Sequence, residues 1–200
     1  MYTKPLMLAL LLLLIACGLE PSIDYTQVPA LTEQGFHIVI EIPAGTNHKI
    51  EFNKENGRFE NDLENGQTRV VDFLPYPGNY GFIPSTLMAE SRGGDGDALD
   101  VLLIAESLPT GTVVEARPIA ALVLRDNGEM DTKIIAQPVD SSLQIIDVQH
   151  YEDFMMRYNG AQNIIRNWFV QYKGLGKVDF LGWRNDDYAL SEIKKWIIEQ

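Results

Sequence analysis

Cysteine is nearly absent: Cys17 is the only one in 200 residues, so no disulfide can form within the chain. Histidine is scarce too, and His37, His48 and His150 are scattered without metal-ligand spacing. Positive charge is in short supply, with 16 Lys and Arg against 28 Asp and Glu and a formal net charge of −12. That shortage argues against a nucleic-acid partner, since binding to a phosphate backbone rests on basic surface. It does not bar a small phosphorylated anion, because bound metal ions reverse the local sign of a site. Long apolar runs are missing as well. The longest, Leu6 to Ile15, falls well short of the about 20 residues that a bilayer-spanning helix needs. There is no internal repeat and no low-complexity tract. What remains, 46% apolar and 22% charged, suits one globular domain with a real core.

The position of the lone cysteine matters. Lys4, the apolar run, then Ala16, Cys17 and Gly18 read as a basic n-region, an apolar h-region and a small-residue cleavage site. Leu14-Ile15-Ala16-Cys17 resembles the lipobox of bacterial lipoproteins, in which the cysteine becomes the acylated first residue of the mature chain. The resemblance implies a signal peptide over 1–16, lipidation at Cys17 and membrane anchoring on the exported side, the periplasmic face in a Gram-negative host. An ordinary secretory signal with an incidental cysteine, or a cytoplasmic protein, is the alternative. Residues 17–35 are polar and contain Pro21 and Pro29, so they read as a flexible tether reaching about 60 Å when extended. The folded domain is expected over 36–200.

The densest chemistry lies in Asp95-Gly96-Asp97-Ala98-Leu99-Asp100. Three carboxylates within six positions, with no Lys or Arg among them, repel one another unless a cation joins them. Mg²⁺ takes a few carboxylates plus waters and phosphate oxygens. Gly93, Gly94 and Gly96 allow the bends that converge such side chains. A solvated acidic turn is the bland alternative. A calcium EF-hand loop fails, because its sixth position should be Gly and is Asp100.

The strand and helix periods then organise the rest. Phe36, Ile38, Ile40 and Ile42 alternate with His37, Val39 and Glu41, as in a half-buried strand. A second strand runs from Lys49 to Phe52, a third from Arg69 to Leu74, and others over Ala98 to Ile104 and Thr112 to Leu124. Tyr76-Pro77-Gly78-Asn79-Tyr80-Gly81 reads as an aromatic loop. Asn127-Gly128 predicts a tight hairpin that puts Asp126 opposite Glu129, with Asp131 and Lys133 following on the same face. Ala161, Ile164, Ile165, Trp168, Phe169 and Tyr172 keep helical spacing, as do Leu190, Ile193, Trp196 and Ile197. Strands followed by helices predict an α+β class: a small β-barrel flanked by helices. Acids for metal (Glu41, Asp95, Asp97, Asp100, Asp126, Asp131) and donors for an oxyanion (Lys49, Arg69, Lys133, Tyr80, Tyr172, Lys173) together suit phosphoryl hydrolysis.

These segments, in this order from about residue 36 to 173, resemble the family I soluble inorganic pyrophosphatases: Ile40-Glu41-Ile42-Pro43, Lys49-Ile50-Glu51, the Tyr76–Gly81 loop, Asp95–Val101, Asp126…Asp131-Thr132-Lys133 and Tyr172-Lys173. The resemblance implies a closed five-stranded barrel of OB type with flanking helices. It also implies Mg²⁺-dependent hydrolysis of pyrophosphate to two orthophosphates by direct attack of a metal-bridging water. By that resemblance Asp95, Asp100 and Asp131 would hold the first Mg²⁺, and Asp100 would be shared with a second. Asp97 would be general base, Asp126 and Glu41 would help to bind further metals, and Lys49, Arg69, Tyr80, Lys133, Tyr172 and Lys173 would grip the phosphoryl groups. Three departures stand out. Arg69 sits one residue off the usual spacing, where Thr68 competes for the position, and a guanidinium suits phosphate better than a hydroxyl. Ala98 replaces a common Pro. The lipobox is unusual in a family that is generally cytoplasmic. Bacterial relatives often form hexamers, so a homo-oligomer is an expectation carried by the resemblance alone. A hydrolase of polyphosphate or nucleoside polyphosphate, and a non-catalytic anion- or protein-binding lipoprotein, are the alternative readings.

Overall fold

The computed structural model describes residues 23–198; the signal peptide expected over 1–16 and the expected lipidation site Cys17 lie outside the described residues. Ten strands and three helices follow in chain order: β1 Phe36–Ile42, β2 Ile50–Asn53, β3 Arg58–Asn61, β4 Leu63–Glu64, β5 Gln67–Thr68, β6 Asn79–Phe82, β7 Asp100–Leu103, β8 Val113–Asp126, β9 Glu129–Pro138, α1 Tyr151–Arg157, α2 Asn159–Gln171, β10 Val178–Arg184 and α3 Asp186–Trp196. Five of the strands pair in the order β1-β6-β7-β9-β8, and β8 returns to pair with β1, so the ring closes. β7 and β9 are parallel and the other pairs of the ring are antiparallel. The expected closed five-stranded barrel is therefore present, with β10 added outside the ring along β8.

The ring strands are buried on both faces. Val101 and Leu103 join Phe36, Ile38, Ile40 and Ile134 in one cluster, which α3 covers with Ala189, Ile193 and Trp196. Leu102, Leu122, Leu124 and Ile135 join a second cluster under α1 and α2, where Phe154, Ile165, Trp168 and Phe169 pack. Each fully buried Leu, Ile or Phe contributes about 1.5–3 kcal/mol relative to exposure, which makes these clusters the main stabilising term. Helix α3 starts on an Asn185 side chain that accepts from Tyr188 N at 3.0 Å. Asp186 and Asp187 fill its first turn and Lys194 and Lys195 its last, as the helix dipole favours.

Several local expectations need correction. Phe36, Ile38, Ile40 and Ile42 do not share one face. The register shifts between Ile40 and Ile42, which face Gly81 and Tyr80, so Glu41 is an extra residue in a bulge and Ile42 crosses to the second cluster. Arg69 to Leu74 is not a strand. Val70 makes a single bridge to His48, after which the chain bends, with Phe73 and Leu74 exposed and no neighbouring strand to complete a ladder. The aromatic loop is partly a strand, because Asn79–Phe82 forms β6. Asn79 is fully buried, accepts from Ala44 N and Leu108 N, and donates to Glu106 O. In α2, Ile164 faces solvent while Gln162 is buried.

Of the tether expected over 17–35, the described part is docked on the domain. Ala30 is buried, His37 N donates to Ala30 O at 2.9 Å, and Ser85 Oγ donates to Val28 O at 2.8 Å. Leu31 bridges Phe36 and the Tyr25 hydroxyl donates to Gly111 O at 3.0 Å, so these residues continue the fold ahead of β1. Among the described residues no helix is long and apolar enough to cross a membrane.

Candidate active site

One cleft of about 340 Å³ opens beside the second cluster, between the β2–β3 hairpin, the 95–100 loop and the β8–β9 turn. The sequence disperses its functional residues over 130 positions, and the fold returns almost all of them to this cleft. Glu41, Asp95, Asp97, Asp100, Asp126 and Asp131 line it, together with Lys49, Tyr80, Lys133, Tyr172 and Lys173. Arg69 alone of the predicted set does not. Its guanidinium is held by Asp62 at 3.0 Å.

Local structure explains each placement. The bulge in β1 turns Glu41 inward, where its Oε1 accepts from Phe52 N at 2.7 Å. The acidic loop is bent by Gly96 at φ +85°, and Asp95 Oδ1 accepts from Asp97 N at 3.0 Å. The predicted hairpin is present: Asn127 and Gly128 both take positive φ, and Asp126, Asp131 and Lys133 lie on one face of the β8–β9 arm. Tyr172 ends α2 and stacks on Trp168 at 4.6 Å and 9°, while Trp168 Nε1 donates to Leu74 O at 2.9 Å. Tyr80 packs under Lys133, whose Nζ lies 5.7 Å from the ring centroid.

Charges in the cleft are interleaved. Lys133, only 7% exposed at its side chain, bridges Asp100 and Asp131, the latter at 2.6 Å. Lys173 pairs with Asp126, and Lys49 with Glu51. Burial opposes the charge on Lys133, yet Asp100 and Asp131 outweigh it and hold the ammonium well above its ordinary range. Burial pushes the Glu41 carboxyl up to about 8, against the opposing Phe52 hydrogen bond. Burial, then the Asp95 charge, raises Asp97; burial and Asp100 hold Tyr80 well above a free phenol.

The donor set fits hard cations. The charged acceptors of the cleft are carboxylate oxygens, and Asp126 Oδ1 is buried with no hydrogen-bond partner, which leaves a lone-pair oxygen for an ion. As the side chains stand, no three acids or histidines among the described residues converge on one point. Lys133 occupies the gap between Asp100 and Asp131, and Lys173 covers Asp126. A cation would therefore displace ammonium groups toward an incoming anion, which couples metal and oxyanion binding.

Sequence reasoning did not single out Lys54, which also lines the cleft from the turn between β2 and β3. A period-two strand pattern says nothing of a residue in the turn, so no signal marked it. Tyr76, Glu129 and Met130 also line the cleft.

Residues 38–199 match the inorganic pyrophosphatase family model. The chain is 36% identical over 183 residues to inorganic pyrophosphatase 1 of Pseudomonas syringae pv. tomato, covering 86% of this chain and 95% of that one. The crystal structure of inorganic pyrophosphatase from Thermus thermophilus superposes with a TM-score of 0.74 at 30% identity, over 88% of this chain and 97% of that one. An inorganic pyrophosphatase from Neisseria gonorrhoeae gives 0.71 at 32% identity, over 87% and 97%. With its closed barrel, its acid-and-lysine cleft and these similarities across most of its length, the chain belongs to family I of the inorganic pyrophosphatases.

Proposed function

We propose that the cleft performs the family's hydrolysis of pyrophosphate by direct attack of water, with Asp97 as general base. The chain is an inorganic diphosphatase and Mg²⁺ is its cofactor. The observation that supports the residue roles is the convergence of all six predicted acids on one cleft with five of the six predicted donors. Asp95, Asp100 and Asp131 would hold the first ion, with Asp100 shared with a second and Asp126 and Glu41 serving the others. Bound Mg²⁺ supplies Lewis-acid polarisation of the phosphoryl oxygens and a lowered pKa for the attacking water.

Asp97 accepts the proton of that water. Its raised pKa brings it nearer the working pH, where a general base is most effective. Lys133 and Lys173 offset the charge that builds on the leaving phosphate, Lys49 grips the bound pyrophosphate, and Tyr80 and Tyr172 add directional donors. Arg69 joins them by exchanging Asp62 for phosphate. No Ser, Thr, Cys or His side chain among the described residues lines the cleft, which favours water over a hydroxyl, thiol or imidazole nucleophile. At the level of the cell, the lipobox supports an anchored, exported enzyme, and the family supports assembly into an oligomer.

The test compares pyrophosphate, tripolyphosphate and ATP as substrates, with and without Mg²⁺. Pyrophosphate should dominate and depend on Mg²⁺. Asp97→Asn should keep the far-UV spectrum of the wild type and lose about 10²–10⁴-fold in kcat, the usual contribution of a general base. Near-wild-type kcat in that variant would remove Asp97 from the role, and faster turnover of ATP or tripolyphosphate would change the substrate.

A further inference from the structure

The β2–β3 hairpin supplies one wall of the cleft through Lys49, Ile50, Glu51, Phe52 and Lys54. It forms a sheet of its own, pairing with no strand of the barrel. A two-stranded hairpin alone is marginally stable, so something else must hold it in place. An aromatic stack does. Tyr25 meets Phe52 edge-on at 5.2 Å and Phe59 at 5.1 Å, and Phe52 lies on Phe82 of β6 at 5.9 Å. The other end of Tyr25 is tied to the barrel by the 3.0 Å bond from its hydroxyl to Gly111 O. The fit is close, because a Cβ at Gly111 would lie 2.8 Å from the Tyr25 hydroxyl.

What the hairpin carries makes this clamp functional. Lys133 and Lys173 are each tied to acids of the β7–β9 wall, and Lys49 to Glu51. Lys54 has no carboxylate within ion-pair distance among the described residues, and its charge acts across the cleft on Asp97, on the side where an anion would enter. Phe52 N also orients the Glu41 carboxyl.

We propose that Tyr25 is a positioning residue for substrate binding: it clamps the β2–β3 hairpin to the barrel and so holds Lys49 and Lys54 over the anion site. The inference rests on the cleft's binding pyrophosphate. Asp95, Asp97, Asp100 and Asp131 sit on other elements, so loosening the hairpin weakens the hold on substrate more than it slows the chemical step.

The experiment uses the full chain with Tyr25→Ala, Tyr25→Phe and Phe59→Ala; neither Tyr25 nor Phe59 lines the cleft. Tyr25→Ala should raise KM for pyrophosphate at saturating Mg²⁺ by about fivefold or more while kcat stays within about twofold, the signature of lost ground-state binding. Phe59→Ala, which removes the clamp from the other side, should do the same. Tyr25→Phe keeps the ring contacts but loses the tie to Gly111 O, so its KM should rise less than that of Tyr25→Ala and lie between that variant and the wild type. Hydrogen exchange over residues 50–61 should speed up in both alanine variants, with β8 and β9 unchanged. Unchanged KM in both alanine variants, or parallel loss of kcat and of barrel protection, would overturn the proposal. A wild type without turnover would instead refute the reading of the cleft, while the exchange data would still decide whether Tyr25 clamps the hairpin.

Discussion

Glu41 owes both its place and its protonation to one extra backbone residue. Strict alternation groups it with His37 and Val39, and only the bulge turns it into the cleft. There burial raises its carboxyl to about 8 from an ordinary value of 4.5. Between those values the folded protein keeps a proton that the unfolded chain has released. Stability of the metal-free protein should therefore fall as pH rises from about 4.5 and level off beyond about 8, a loss on the order of a few kcal/mol. Glu41→Gln has no proton to lose. Urea midpoints taken in chelator at pH 5 and pH 8.5 should show the variant gaining on the wild type as pH rises, and parallel midpoints would contradict the burial account. The aspartates were legible because Asp95, Asp97 and Asp100 sit in one short motif. Glu41 was legible as a residue of the family pattern but not as a bulge, since a bulge leaves no mark on composition or period. Lys54 was not legible, and Arg69 was placed nearer the site than Asp62 holds it.

Among the elements, the β8–β9 arm was the most readable, because Asn-Gly between apolar, β-branched runs specifies a two-residue turn with positive φ at both positions. Gly128 sits at φ +94°, and an alanine there has to adopt a backbone that L-residues avoid. Gly128→Ala should lower the free energy of unfolding by about 1 kcal/mol, read as a lower urea midpoint at unchanged m-value. A variant as stable as the wild type would show that the turn carries no strain. Helices α2 and α3 announced themselves by period, whereas α1 has seven residues with only Phe154 buried. β10 escaped notice because Phe180 and Leu181 are both partly exposed and a register shift before Gly182 breaks its alternation. Val70 and Val71 imitated a strand, but strand propensity needs a neighbour, and the chain there has one bridge.

At the scale of the whole molecule, the formal charge of −12 surrounds a cleft that must accept a highly charged anion. Attraction over distance is thus poor and binding depends on local cations. The proposed anchor at Cys17 is tested separately. Labelled palmitate should enter a membrane fraction of the wild type and be lost in Cys17→Ser, whose specific activity should be unchanged. A soluble, unlabelled wild type that keeps residues 1–16 would reject the lipobox and leave the hydrolase intact. Closure of the barrel has a further consequence, for the time the chain takes to fold. The seam between β1 and β8 sets Phe36 against Ala116, roughly eighty positions later, and β7 pairs with β9 only after all of β8 has been made. β1 therefore leaves the ribosome long before its partner, and contacts of such long range place the barrel among slow-folding topologies. Were the proposed lipobox to send the chain across a membrane as an extended thread, that delay would work in favour of export.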